Sequence, residues 1–424
     1  MPTVAIYTLG CKVNQYESQK LAEGFMAKGF RLIDFSDEAD VYIINTCTVT
    51  QVADSKSRHV IRAAMRRNPA ARVVVTGCYA ERSRSELEAL GVSLIVGNEG
   101  KAQLVDLVAD IVPIPSTENS VILPKNMNRV QPRTRALLKI QDGCNQYCSY
   151  CAIPFARPVM SCVPMENLLQ EATSLVQLGH LEIVLTGIRL GTYRDGHADL
   201  ITLLSALSEL PQLERIRMSS IELTDIPDGL FDLMSKNPKI CRHLHVPLQS
   251  GDDNVLRRMN RPHTAGEFAD FVRHARECIP DIAITTDIMV GFTGETIGEF
   301  ENSYALAKSL KFSRMHVFRY SRRPGTAASE LEDDVSDFEK DRRSRRLIEL
   351  GKELSNAFAE SFIGEPVSVL VEGKRVNGLR SGLTDNYVRV VFRAPNGCAG
   401  RIVNVRVQSV QDGSCVGEVC ESEA

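Results

Sequence analysis

No stretch of this sequence approaches the ~18 consecutive apolar residues that mark a membrane-spanning helix, so no membrane role is expected. No secretory leader is expected, because Met1-Pro2-Thr3 runs directly into a strand-like apolar pattern. Charge of either sign is not in excess: 50 Lys and Arg stand against 53 Asp and Glu, a formal net charge of −3. No whole-molecule field therefore draws the chain to nucleic acid or membrane, and any nucleic-acid contact must come from local basic patches. With no leader expected, the 12 cysteines do not read as a disulfide framework. Metal-bound thiols in a reducing, cytoplasmic setting fit them better. No coiled-coil repeat or long exposed apolar segment is present, so a monomer is the expected state. The 424 residues are enough for two or three domains.

What the chain does have is Cys144-Asn145-Gln146-Tyr147-Cys148-Ser149-Tyr150-Cys151, three thiols within eight residues. Buried structural cysteines scatter, whereas an iron–sulfur cluster is held by cysteine sulfurs converging on one loop. No fourth cysteine lies within ten residues; Cys162 comes next, in a separate proline-flanked segment. One iron is then left for a non-protein ligand, and an open metal position marks chemistry. The alternative is a zinc knuckle short of its fourth ligand.

A second trio is spread more widely. Val4-Ala5-Ile6-Tyr7 ends in Leu9-Gly10-Cys11, Val41-Tyr42-Ile43-Ile44 in Asn45-Thr46-Cys47, and Val73-Val74-Val75 in Thr76-Gly77-Cys78. Helical segments follow, as in a parallel α/β sheet whose strand C-termini gather along one edge. Cys11, Cys47 and Cys78 are thus expected to meet and hold a second cluster with one open iron; the alternative is three small apolar cysteines at strand ends.

After Cys47, Arg58, Arg62 and Arg66 stand four apart and share one helix face, either a phosphate-contacting stripe or a solvated one. Residues 113–134, with Pro113, Pro115, Pro124 and Pro132, read as a linker. Six strand-like runs then alternate with helical segments: Ala136–Gln141, Leu181–Ile188, Arg215–Ser220, His243–Gln249, Ile282–Phe292 and Arg314–Ser321. This is the pattern of a partial (β/α)6 barrel, with the cysteine loop at its C-terminal mouth. His243 and His245 share one strand face and are read as packed interior imidazoles rather than metal ligands. Asp341–Ser361 reads as a charged surface helix. Short β runs beyond Gly364 (Val367–Val371, Tyr387–Phe392, Ile402–Val410) suggest a small antiparallel β-barrel. Its basic residues, including Lys374, Arg375 and Arg380, suit RNA, although a plain packing domain is the alternative. The last ten residues read as loose. The expected fold class is α/β. It comprises an N-terminal parallel α/β domain (1–112), the linker (113–134), the barrel domain (135–363) and the β-barrel (364–424).

The C-x3-C-x2-C loop with Tyr150 resembles the signature of the radical S-adenosylmethionine (SAM) enzymes. Together with the second cysteine trio and the basic barrel, the whole chain resembles the methylthiotransferases of that class. His245-Val246-Pro247-Leu248-Gln249-Ser250-Gly251 and Tyr320-Ser321-Arg322-Arg323-Pro324-Gly325-Thr326 add to the likeness. The resemblance implies two 4Fe-4S clusters, on Cys11, Cys47 and Cys78 and on Cys144, Cys148 and Cys151. SAM would serve both as methyl source and as radical source. It also implies a C-terminal TRAM domain that binds RNA. By position in the motifs, Tyr150, Thr186, Gly187, Ser220, Glu222, Gln249, Val290 and Gly291 would hold SAM. No catalytic residue is implied beyond the cluster ligands. Leu9-Gly10-Cys11-Lys12-Val13-Asn14-Gln15-Tyr16-Glu17-Ser18 is similar to the branch acting on N6-threonylcarbamoyladenosine beside the tRNA anticodon. The implied reaction places a methylthio group on adenine carbon 2. The partners expected are a tRNA anticodon stem-loop, a reductant such as a flavodoxin or ferredoxin, and a sulfur donor. Alternatives are a methylthiotransferase for isopentenyladenosine or for a ribosomal-protein aspartate, or a non-catalytic iron–sulfur RNA-binding protein. The chain departs from the family pattern in Arg157-Pro158-Val159-Met160-Ser161-Cys162, where relatives carry Arg-Gly-x-x-Arg-Ser, and in milder form at Leu223 and Thr293.

Overall fold

A computed structural model describes residues 1–112, 134–376, 378–394 and 397–420, without the side chains of Lys374 and Val376. The expected linker lies almost wholly outside the described residues. Compactness divides the chain into two units that do not follow sequence order. The first gathers the N-terminal residues with Gly143–Met160 and Ser321–Thr326; the second holds the remaining described residues.

In the first unit, β1 (Thr3–Thr8), β2 (Arg31–Leu32), β3 (Val41–Thr46), β4 (Arg72–Gly77) and β5 (Leu94–Val96) form one parallel sheet in the order β2-β1-β3-β4-β5. Helices α1 (Lys12–Ala27) and α2 (Gln51–Arg67) follow β1 and β3. The strands are apolar on both faces because both are covered. Val41, Ile43 and Val74 pack in one cluster with Leu21 and Phe25 of α1. Tyr42, Ile44, Val73 and Val75 pack in another with Ile61 and Ala64 of α2.

In the second unit, β6 (Ala136–Lys139), β7 (Glu182–Thr186), β8 (Arg215–Met218), β9 (His243–His245), β10 (Ala283–Val290) and β11 (Arg314–Arg319) match the six expected runs. They pair in parallel as two three-stranded sheets, β8-β7-β6 and β9-β10-β11. The isolated pairings Ile216↔Ile240 and Ser220↔His245 join them into a partial barrel. Its outer face packs in one large apolar cluster with the covering helices. The helix Asp337–Glu360 is not merely a surface element, because Lys340, Arg343, Leu347 and Leu350 on one side are buried.

The C-terminal strands β12 (Pro366–Val376), β13 (Leu379–Thr384), β14 (Arg389–Arg393), β15 (Ile402–Gln411) and β16 (Ser414–Val419) close a barrel in the order β12-β13-β14-β16-β15. It is not wholly antiparallel, because β14 and β16 pair in parallel. Five strands cannot alternate direction around a closed ring, so one parallel pair is a geometric necessity. The expectation of a loose C-terminus also fails for Cys415–Val419, part of the strand whose pairing completes the ring and removes an open sheet edge. Arg215 and Arg217, at the start of β8, bind this barrel. Arg215 donates to the carbonyls of Leu383 (3.0 Å) and Ser368 (2.8 Å), and Arg217 to that of Thr384 (3.0 Å). The fully buried Glu182 accepts from Arg217 at 2.7 Å, so the buried cation is paired.

Candidate active site

The sheet order of the first unit reverses direction between β1 and β3. Loops leaving this switch point diverge to opposite faces and leave a crevice at the strand C-termini. Cys11, Cys47 and Cys78 sit at the ends of β1, β3 and β4, along that edge. The close approach rests on glycine. Gly10 has φ +100°, and a Cβ there would lie 2.8 Å from the Cys47 Cβ. Gly77 has φ +97°, and its Cβ would meet the Thr46 carbonyl oxygen at 2.4 Å.

The three thiols feel one another. Burial first, and then the neighbouring Cys78, push the Cys11 thiol up, while Arg157 opposes the shift; Cys11 keeps an accessible edge although protein crowds round it. Burial, with Cys78 and Cys11 adding to it, pushes Cys47 up to about 12. Bound metal would reverse this by ionising the thiols. The Asn98 side-chain amide lies 3.8 Å from Cys78 Sγ. Polar residues of α1 fix the loop before it. Asn14 donates to the carbonyls of Leu9 (2.8 Å) and Thr46 (2.9 Å), and Asn45 donates to the carbonyl of Asn14 (3.0 Å) and to Ser18 (3.0 Å).

The second cysteine trio belongs to the same unit. In the loop, the Gln146 N–H donates to Cys144 Sγ at 3.4 Å and the Ile153 N–H to Cys151 Sγ at 3.5 Å. Such bonds suit thiolate ligands of a cluster. Neither trio is drawn tight around a single ion: among the described residues, the group with donor atoms within 4.8 Å of one another is His245, Asp287 and His316. A polynuclear cluster needs wider spacing, so the donors fit iron–sulfur groups better than lone zinc ions.

Arg157 links the two sites. Its carbonyl accepts from the Cys144 N–H at 3.2 Å. Its buried guanidinium grips Glu17 through two bonds of 2.9 Å and Asn14 through one of 3.0 Å. Lys101 shares Glu17; burial pulls its ammonium down and Glu17 opposes that. Arg323 reaches Thr48 and Asp54, just beyond Cys47, at 2.6 Å each. Sequence reasoning passed over Glu17, Lys101 and Arg323 as positioning residues. A signal was present, because Asn14, Glu17 and Ser18 put polar groups on one helix face where an apolar stripe is ordinary.

The other predicted residues are placed as follows. Tyr150 is half-buried in the loop of the first unit. In the second unit, Thr186 is buried at the end of β7, and Gly187 lies against Gln141. Ser220 is half-buried, and Glu222 is committed to the buried Arg261. Gln249 has φ +67° and its N–H donates to the Asp287 carbonyl at 2.8 Å. The Val290 side chain is wholly in the core, so only its backbone is offered. Gly291 lies against Lys340 and donates to Glu295 at 2.7 Å. Of the predicted RNA contacts, Arg62 and Arg66 are exposed, while Arg58 is tied to Tyr79 at 2.8 Å. Arg375 is exposed, Arg380 is turned into the barrel wall, and Lys374 lies outside the described side chains. Cys162 meets the Arg194 N–H at 3.4 Å and packs on the barrel core.

Residues 3–97 match the model for Uncharacterized protein family UPF0004, and residues 138–307 that for the Radical SAM superfamily. A Bacillus subtilis protein named threonylcarbamoyladenosine tRNA methylthiotransferase MtaB is 40% identical over 96% of this chain and 94% of its own length. Its Thermotoga maritima namesake is 36% identical over 100% and 99%. The chain belongs to the radical SAM methylthiotransferase family. It is accordingly an enzyme whose cofactors are SAM and two 4Fe-4S clusters. A tRNA-2-methylthio-N(6)-dimethylallyladenosine synthase of Endomicrobium trichonymphae is 32% identical over 98% and 99%. In fold, the chain is similar to the radical SAM methyltransferase TsrM of Kitasatospora setae, with a TM-score of 0.58, 18% identity and 77% of each chain covered. Among the described residues, no helix is long and apolar enough to cross a membrane.

Proposed function

We propose that the protein is a tRNA methylthiotransferase that converts N6-threonylcarbamoyladenosine next to the anticodon to its 2-methylthio derivative. The observation that carries this reading is the convergence of Cys11, Cys47 and Cys78 at the switch point, beside a separate three-cysteine loop in the same unit. Relatives named for the threonylcarbamoyl substrate, 33–40% identical, support this branch over those named for dimethylallyladenosine, at 31–34%.

In this reading Cys144, Cys148 and Cys151 ligate one cluster, and Cys11, Cys47 and Cys78 the other. SAM and the clusters supply the one-electron chemistry and the sulfur that an unreactive aromatic C–H bond requires. The chain's own work is to orient and enclose. Arg157 and Glu17 hold the cysteine loop against α1, and Asn14 pins the Cys11 turn to the end of β3. Tyr150, Thr186, Gly187, Ser220, Gln249 and the backbone of Val290 and Gly291 are the proposed SAM contacts. Glu222 acts through Arg261. Arg62, Arg66 and Arg375 are the proposed phosphate contacts, with the C-terminal barrel as the TRAM module. The protein works in the cytoplasm as a monomer, taking electrons from a flavodoxin or ferredoxin and sulfur from a separate donor.

Nucleoside mass spectrometry of tRNA from a deletion strain tests this directly. Loss of 2-methylthio-N6-threonylcarbamoyladenosine, restored by the gene, is the expected result. Unchanged tRNA removes the tRNA reading. Failure of the reduced, cluster-loaded protein to cleave SAM would favour a non-catalytic RNA-binding role.

A further inference from the structure

We infer that His245, Asp287 and His316 form a mononuclear divalent transition-metal site in the partial barrel, separate from both cysteine trios. Thr285 would serve as its outer support.

The three residues come from adjacent parallel strands. Asp287 of β10 is directly paired with His316 of β11, and His245 of β9 with Thr285, two residues before Asp287 on the same strand face. That face is the opposite one to Leu244, Ile284, Ile288 and Val317, which pack in the core. The donor set is two imidazoles and one carboxylate, the combination that binds divalent iron, zinc and similar ions while leaving positions open.

The distances favour an ion over hydrogen bonding alone. His245 Nε2 lies 3.3 Å and His316 Nδ1 3.2 Å from the same Asp287 Oδ1. Charge-assisted N–H···O bonds are shorter, about 2.7–2.9 Å. Donors about 2.0–2.1 Å from a tetrahedral ion stand roughly 3.3 Å apart. All three ligand atoms fall within 4.8 Å of one another.

Outer support is also present. Thr285 Oγ1 is 2.9 Å from His245 Nδ1 and 3.0 Å from His243 Nε2, which fixes the ring and leaves Nε2 toward Asp287. The site is accessible: the side chain of His316 is 45% exposed and that of Asp287 23%. Open positions on the ion would take an oxygen donor from solvent or substrate.

The test uses the full chain with both iron–sulfur clusters loaded, so that the six cluster cysteines are occupied. Zn²⁺ is added in equilibrium dialysis, and Co²⁺ is followed by absorbance. The expected result is a single extra equivalent of metal. Co²⁺ should give visible ligand-field bands without thiolate charge transfer. Asp287→Asn and His316→Gln, which keep size and polarity, should lose that equivalent while iron content and circular dichroism stay unchanged. Thr285→Val should weaken it by about 10–100-fold. Absence of an extra equivalent overturns the assignment. So does binding that persists in Asp287→Asn, or a Co²⁺ spectrum dominated by thiolate charge transfer.

Discussion

The two cysteine sites are built in opposite ways within one unit of the fold. Cys144, Cys148 and Cys151 lie on a single loop within eight residues, so chain connectivity alone keeps them near one another. Cys11, Cys47 and Cys78 come from three strand ends, and only the sheet order brings them together. A local site tolerates strain elsewhere in the sheet, whereas a site made from strand ends inherits every fault of the sheet. Arg157 and Glu17 are where the two designs are coupled.

The largest expected effect separates the sites chemically. Cys148→Ala should abolish SAM cleavage, whereas Cys47→Ala should abolish methylthio transfer and leave SAM cleavage in place. Each should lower iron from about eight to about four per chain. Iron analysis with product chromatography checks this, and loss of cleavage in both variants would erase the distinction.

Arg157→Ala strikes the link. It leaves Glu17 buried with Lys101 as its remaining cation, so a loss of about 3 kcal/mol in denaturant unfolding is expected. Iron retention should fall at both sites. If only the loop site suffers, the two designs are independent after all.

Gly77→Ala sharpens the contrast from the sheet side. A side chain at φ +97° against the Thr46 carbonyl adds about 1–3 kcal/mol of strain. The strand-end site should lose its cluster while SAM cleavage by the loop site continues, as read by iron content and cleavage rate.

The smallest effect is on stability alone. Replacing the exposed Arg62 and Arg66 by Glu should change unfolding free energy by no more than about 0.5 kcal/mol. tRNA affinity should fall, and its log–log salt slope should become shallower by roughly 1–2. Unchanged RNA binding would mark this helix face as merely solvated.

Legibility in the sequence followed the range of the interaction. The cysteine loop, the six barrel strands and the alternation of the first sheet are local patterns, and each stands where its residues suggest. The strand Ser414–Val419 was missed although Asp412-Gly413, the two-residue turn between Gln411 and Ser414, marks an antiparallel hairpin; only its parallel pairing with Arg389–Arg393 leaves no local signal. Lys101 and Arg323 were missed because a buried ion pair has no sequence period, whereas Glu17 did leave a trace in the polar face of α1. Arg58 and Arg380 read as RNA contacts on composition, yet the fold spends them on Tyr79 and on the barrel wall.

The sequence by itself determined the chemistry available: six thiols in two trios, glycines before three of them, and strands apolar on both faces. Tertiary structure alone decided that thiols as far apart in sequence as Cys11 and Cys78 share one sheet edge. It also decided that His245, Asp287 and His316 share one strand face. Side-chain type is set residue by residue, but proximity between distant residues exists only once strand order and register are fixed.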